Sequence, residues 1–162
     1  WVILTIRLFE IFLVLFFIAV LLICIDAGGF SYNIKGNIRV MINEEVVKPE
    51  NINCYRASGD KVSQKMKLKW NEDYYAVRVK AIPYDNYYIE YDVPTEAGVK
   101  HFKFSVFKAH NGLPVEWFDY DLKLCMEDNE WVAYVSLGDE YGTKTERILL
   151  KDDPEAFILI GP

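Results

Sequence analysis

Between Leu8 and Ile25 the chain reads LFEIFLVLFFIAVLLICI, 18 residues in which Glu10 is the single charge. Wound as an α-helix at about 1.5 Å per residue, the run spans about 27 Å, close to the hydrocarbon thickness of a bilayer. A helix that packs on a soluble core keeps a polar stripe, and this one has none. Counting from Trp1, the apolar stretch reaches 25 residues. Arg7 and Glu10, spaced i and i+3, can then pair near the headgroups while Trp1 sits at the interface. The reading is a membrane anchor over residues 1–26, with the lipid bilayer as the partner of residues 1–25.

The competing reading is the apolar core of a secretory signal peptide. Such cores run to about 7–15 residues and end in a small-x-small cleavage pattern. The run here is longer, and Ile25-Asp26-Ala27 fits that pattern poorly. A lipoprotein site at Leu21-Leu22-Ile23-Cys24 places bulky Ile23 where a small residue is wanted, so Cys24 reads as an apolar residue within the membrane. The chain begins with Trp1 rather than Met, which leaves the positive-inside count incomplete. With little chain ahead of the helix and a domain behind it, the expected orientation is single-pass, with the C-terminal domain extracytoplasmic. None of the nine Asn lies in Asn-x-Ser/Thr, so no glycosylation site points to a eukaryotic secretory route.

Ile6-Arg7-Leu8-Phe9-Glu10, followed by the long apolar run, resembles the N-terminus of type IV pilin-like proteins, where a Glu closely follows the processing site. Thr5 stands where those proteins carry Gly, and Asp26-Ala27-Gly28-Gly29 ends the helix where a pilin's continues amphipathically. The resemblance implies an alternative function, a structural subunit of a membrane complex or pilin-like assembly packed through its N-terminal helix.

Leaving out Arg7, Glu10 and Asp26, residues 27–162 carry 17 Lys and Arg against 22 Asp and Glu, a net charge of −5. Without a basic field to neutralise phosphates, nucleic acid is not an expected partner. Aromatic and β-branched residues are abundant and low-complexity stretches absent, which argues against disorder. A chain of this length can bury a core without disulfides or metal.

After a linker over residues 27–35, period-two alternation recurs and helical periodicity is nowhere sustained, the signature of antiparallel sheets with one wet face. Ile38, Val40 and Ile42 form one face, as do Met66, Leu68 and Trp70, and Tyr75, Val77, Val79 and Ala81. The pattern continues with Tyr87, Ile89, Tyr91 and Val93; with Phe102, Phe104 and Val106; with Phe118 to Met126 in even positions; and with Trp131, Ala133 and Val135. Stretches 147–150 and 156–160 close the series. Asn71-Glu72-Asp73, Asp85-Asn86, Asn111-Gly112, Asp128-Asn129 and Gly138 to Gly142 supply turn chemistry. The expectation is an all-β domain over residues 36–162 with seven to nine strands, an immunoglobulin-like or transthyretin-like two-layer β-sandwich, with a closed barrel as the alternative.

The spacing of Cys54, Trp70 and Cys125 resembles the Cys, Trp, Cys frame of immunoglobulin domains. The family carries Tyr two residues before the second Cys, and position 123 is Lys. By alternation Cys125 shares a face with Asp119, Asp121 and Lys123, whereas a core disulfide needs the face of Leu124 and Met126. Two separate thiols are expected.

His101 and His110 lie in no spaced ligand set and no nucleophile motif is present, so neither metal, cofactor nor enzymatic activity is expected. Asp119 with Asp121, and Asp152, Asp153 and Glu155, read as solvated acidic faces. Lys65, Lys67 and Lys69 line one strand face, where lysines guard against edge-to-edge aggregation or meet anionic headgroups. The densest anomaly is aromatic, six Tyr between Tyr74 and Tyr91 on an expected single hairpin. Tyr75, Tyr87 and Tyr91 take the inner phase, which leaves Tyr74, Tyr84 and Tyr88 as the candidate binding residues. The function expected is a membrane-tethered interaction module for an envelope protein or a glycan.

Overall fold

A computed structural model describes residues 1–26, 32–56, 66–81, 87–105, 115–150 and 156–159. The apolar run is one α-helix, α1 (Val2–Asp26), 25 residues long. It is long and apolar enough to cross a membrane over Val2–Ile23, and none of that stretch is buried against the rest of the protein.

Among the described residues the remainder is built from strands alone. They are β1 (Tyr32–Ile42), β2 (Glu45–Val47), β3 (Glu50–Arg56), β4 (Met66–Trp70), β5 (Tyr75–Ala81), β6 (Tyr87–Thr95), β7 (Gly98–Ser105), β8 (Trp117–Glu127), β9 (Glu130–Asp139), β10 (Gly142–Leu149) and β11 (Ala156–Leu159). A seven-stranded sheet runs β10-β9-β8-β1-β5-β4, with β2 folded back on β1, and a four-stranded sheet runs β11-β7-β6-β3. Most neighbours are antiparallel, but β1 lies parallel to β8 and β7 parallel to β11. Asn43-Glu44 and Asp128-Asn129 both take positive φ, the conformation of the tight turns whose twist matches the flanking strands.

Both sheets bury their alternating apolar faces in one core. Ile34, Ile38, Val40, Val77 and Val79 from the larger sheet meet Cys54, Tyr87, Ile89, Tyr91 and Phe102 from the smaller. Aromatic rings bridge the layers: Phe104 stacks on Tyr120 at 3.8 Å between centroids and meets Phe118 edge-on at 6.0 Å. Gly36 sits where the ring of Phe118 crosses the inner face, and a Cβ there would lie 2.0 Å from that ring. Glycine is required by this close approach.

The all-β expectation and the strand phases hold, and several details differ. Eleven strands are described rather than seven to nine, because β2 has three residues and β3 lacks sustained alternation. The first strand opens at Tyr32, inside the stretch read as linker. Met126 and Leu68, both expected inside, are 46% and 39% exposed, Met126 at the end of β8 and Leu68 on the edge strand β4. The expected hairpin around Tyr74 to Tyr91 does not form, since β5 belongs to the seven-stranded sheet and β6 to the four-stranded one. An immunoglobulin constant domain divides seven antiparallel strands four and three, whereas here the division is seven and four with two parallel pairs. Cys54 is fully buried in the core, Cys125 is half-buried on the opposite face of its sheet, and no disulfide joins them.

Candidate binding face

The outer face of the seven-stranded sheet follows from strand register. Side chains alternate across a strand, so residues paired in register share a face and stand side by side. Lys67 on β4 pairs with Arg78 on β5, Arg78 with Lys35 on β1, and Lys35 with Trp117 on β8. The next row on this face reads Lys69, Ala76, Asn37 and Asp119. Beyond it come Arg39, Asp121 and Ser136, then Met41, Lys123 and Tyr134.

Among the described residues three hollows lie along this face. The largest, about 490 Å³, is bordered by Lys35, Lys67, Lys69, Arg78 and Trp117 over a floor at Ala76. A second of about 410 Å³ lies among Arg39, Asp121, Lys123, Tyr134 and Thr145, and a third of about 320 Å³ lies among Asn37, Arg39, Tyr74 and Asp119. Their sizes fall within the range of small-ligand sites.

Charges at one end of the face are matched. Arg39 lies 3.6 Å from Asp121, and Asn37 donates a 2.9 Å hydrogen bond to Asp119. Burial holds the Asp121 carboxyl above its ordinary range, with Asp119 adding to the rise while Arg39 and Lys123 oppose it. Arg147 donates a 2.6 Å hydrogen bond to Glu127, which also accepts from the Tyr134 hydroxyl. These two donors hold Glu127 below the usual carboxylate range. Asp119 and Asp121, read from the sequence as a solvated acidic face, are thus tied to an amide and a guanidinium.

The other end is unmatched. Among the described residues none of Lys35, Lys67, Lys69 and Arg78 has a carboxylate partner. Trp117 beside them is 43% exposed.

Of the residues singled out in the sequence, Tyr74, in the bend just before β5, and Tyr88, on β6, are both half-buried, and those two strands belong to different sheets. The Arg39 guanidinium stands 5.7 Å from the Tyr74 ring centroid, so Tyr74 belongs to the face just described. Tyr88 lies on the smaller sheet between Tyr55 and Ser105, with the Lys103 ammonium 5.7 Å from its ring. Tyr84 lies outside the described residues, as do His110, Lys65, Asp152, Asp153 and Glu155. Tyr75, Tyr87 and Tyr91 do face inward, Tyr75 partly buried against the core and the other two within it. His101 pairs with Asp92, which also accepts a 2.9 Å hydrogen bond from Asn51.

Among the described residues no group of three or more His, Cys, Asp or Glu is placed to hold a metal ion. Cys54 is no nucleophile as it stands, because burial pushes its thiol up to about 12. The buried hydroxyls of Tyr91 and Tyr120 bond each other, and burial raises both well above the usual phenol range. What the outer face offers is charge, one exposed indole and hydrogen-bonding side chains, the equipment for binding. Sequence reading identified the lysines of β4 but not Lys35 or Trp117 as their neighbours, since only strand pairing brings them together.

No protein family matches this chain, and comparison with curated proteins and with solved structures finds no match either.

Proposed function

We propose that this protein is a membrane-tethered, extracytoplasmic β-sandwich that binds an envelope protein or a glycan. The observation that carries the reading is the division of labour in the chain. The helix over Val2–Ile23 buries nothing against the domain, while the two sheets close a core from their own residues. A helix that apolar needs a lipid or protein environment, and a domain with its own core has no need of the helix to fold. Large side chains dominate α1, where Thr5, Ala19 and Cys24 are the small residues up to Ile25 and no two of them are spaced i, i+4, a composition suited to lipid contact more than to close helix packing. The finer class assigned to the sandwich, immunoglobulin-like or transthyretin-like, is part of the same proposal and draws only on its two facing layers. The binding role draws on the concave, charged outer face of the larger sheet.

The test uses the full chain fused at its C-terminus to a phosphatase that becomes active only in an oxidising, extracytoplasmic compartment. Active reporter that stays with the membrane through an alkaline carbonate wash is the expected result. Inactive reporter, or release into the wash, overturns the tether. Purification in mild detergent separates the remaining readings, because a stoichiometric partner held through α1 would identify the subunit of a membrane assembly instead.

A further inference from the structure

The four unmatched cations on the larger sheet have no structural reason to stand together. Neighbouring strands are about 4.8 Å apart, so Lys67, Arg78 and Lys35 form a row of like charges at cross-strand contact, an arrangement that destabilises a sheet. Lys69 lies diagonal to Arg78 on the same face. The domain is acidic overall and supplies carboxylates to Arg39 and Arg147 further along the sheet, yet supplies none to these four among the described residues. Protection of a sheet edge accounts for Lys67 and Lys69, because β4 is an edge strand. It does not account for Arg78 or Lys35, which lie on strands paired on both sides. Half of the cluster therefore needs another explanation.

The groove supplies one. Ala76 leaves a low floor between Lys69 and Asn37, and in the adjoining row Lys67, Arg78 and Lys35 lead across the sheet to the exposed Trp117 indole beside Lys35. Asn37 and Asp119, hydrogen-bonded to each other, lie at the margin with further donor and acceptor capacity. A ligand that uses all of this carries negative charge, a flat weakly polar face to lie against an indole, and hydroxyl groups. We propose that the groove between β4 and β8 binds an acidic oligosaccharide, its carboxylate or sulfate groups held by Lys35, Lys67, Lys69 and Arg78 and a sugar ring stacked on Trp117. The inference rests on the glycan form of the function proposed above and names its site and ligand class.

Two other anionic partners fit less well. A bilayer surface is planar, whereas this site is a hollow of about 490 Å³ sized for a small ligand. A nucleic acid strand extends its charge well beyond one groove and meets the negative field of the rest of the domain.

The experiment places the full chain in nanodiscs of phosphatidylcholine and titrates oligogalacturonate and a sulfated hexasaccharide, with maltohexaose, oligothymidylate and phosphatidylglycerol vesicles as comparators. At least one acidic sugar should bind, maltohexaose should not, and raising the salt tenfold should weaken binding by about tenfold or more. Lys35→Gln with Arg78→Gln, and separately Trp117→Ala, should each weaken binding by about tenfold or more, while Lys123→Gln stays within about twofold. Lys67→Gln with Lys69→Gln, confined to the edge strand, provides a second charge variant should the first fail to fold. Failure of both acidic sugars to bind a folded chain overturns the proposal, as does equal binding of maltohexaose or no loss in any groove variant. Tighter binding of oligothymidylate or of the anionic vesicles assigns the groove to nucleic acid or lipid instead. The tether is tested independently by the carbonate wash, so a chain that stays in the membrane but ignores every acidic sugar sinks this site alone.

Discussion

The two ends of one sheet face are built on opposite principles. Toward Tyr134, Arg39 meets Asp121 and Arg147 meets Glu127. Toward Trp117, none of Lys35, Lys67, Lys69 and Arg78 is ion-paired among the described residues, although Asp119 lies at the margin of their groove. The core beneath follows the same division. Under the matched end the hydroxyl of Tyr120 bonds that of Tyr91, and under the unmatched end Phe118 lies directly over Gly36. The matched end has its charges paired within the chain, whereas the unmatched end has Phe118 packed against Gly36 beneath it and cations without an ion pair among the described residues on its outer surface. That difference separates a surface stabilised within the chain from the one proposed to bind a ligand, and it can be broken at four points.

The largest effect belongs to the floor of the unmatched end. Gly36→Ala forces the Phe118 ring aside, because three of its atoms would lie 2.0 to 2.4 Å from the new Cβ. Overpacking of this kind costs about 3 kcal/mol in a core that cannot yield. Gly138→Ala is the control, since its nearest neighbour is the Thr143 side chain at 3.1 Å, which can turn away, and its cost should stay below about 1 kcal/mol. Urea unfolding of both variants checks the pair, and equal losses would show that Phe118 does not seal this end.

The matched end has its own buried liability. Tyr91→Phe strands the Tyr120 hydroxyl in the core, at a cost of about 1 to 2 kcal/mol, and removing both hydroxyls should cost less than the two single changes together. The same burial sets an alkaline limit. Cys54 ionises near 9.0 when exposed but only at about 12 in the fold, and Tyr91 and Tyr120 are shifted in the same direction. Between those values the unfolded chain releases protons that the native one retains, so stability is complete below about pH 9 and falls as pH rises. Melting temperatures that stay level from neutral pH into this alkaline range would contradict the burial of these groups.

Strand phase was legible in the sequence, and strand partnership was not. Alternation places Tyr87 and Tyr91 inside, as found, and leaves Tyr74 and Tyr88 in the opposite phase, where both are half-buried, because a period of two reports which face a side chain takes. It carries no information on which strand lies alongside. Tyr74 and Tyr88 were therefore assigned to one hairpin although β5 and β6 join different sheets. The basic groove failed to emerge for the same reason: Lys67 and Lys69 are visible as a lysine-bearing strand, but Lys35 joins them only through pairing with β5, and Trp117 only through a parallel pairing some 80 residues distant. Short β2 and irregular β3, with its register shift between Glu50 and Asn53, carry too little alternation to be seen.

A smaller effect probes the carboxylate at the matched end. Glu127 is held below its ordinary range by the Tyr134 hydroxyl and by Arg147. A lowered carboxylate stabilises the fold above its unfolded value of about 4.5, and that contribution disappears as pH falls through the folded value. Arg147→Met removes one of the two donors, so its melting temperature should decline less than that of the parent chain on acidification from neutral pH to the carboxylate range. Parallel declines would show that the pair is not held in solution.

The smallest effect is the most discriminating because its sign is at stake. Ordinarily a surface charge that is removed takes a favourable contact with it, and at the matched end Arg39→Gln should lose about 0.5 kcal/mol with the Asp121 pair. At the unmatched end Lys35 has Arg78 directly across on β5, and Arg78 has Lys67 across on β4, so removing the middle strand's neighbour relieves repulsion. Lys35→Gln should therefore raise stability, by about 0.2 to 0.5 kcal/mol at low ionic strength, the scale of one like-charge contact on a sheet. The Debye length falls from about 10 Å at 0.1 M to about 3 Å at 1 M, below the cross-strand separation, so the gain should vanish at about 1 M salt while the loss in Arg39→Gln shrinks toward zero from the other side. Opposite signs that converge with salt mean the row of cations is held together against its own repulsion, as the proposed anion site requires. If both variants lose stability alike, the row is stabilised within the chain and the contrast between the two ends collapses.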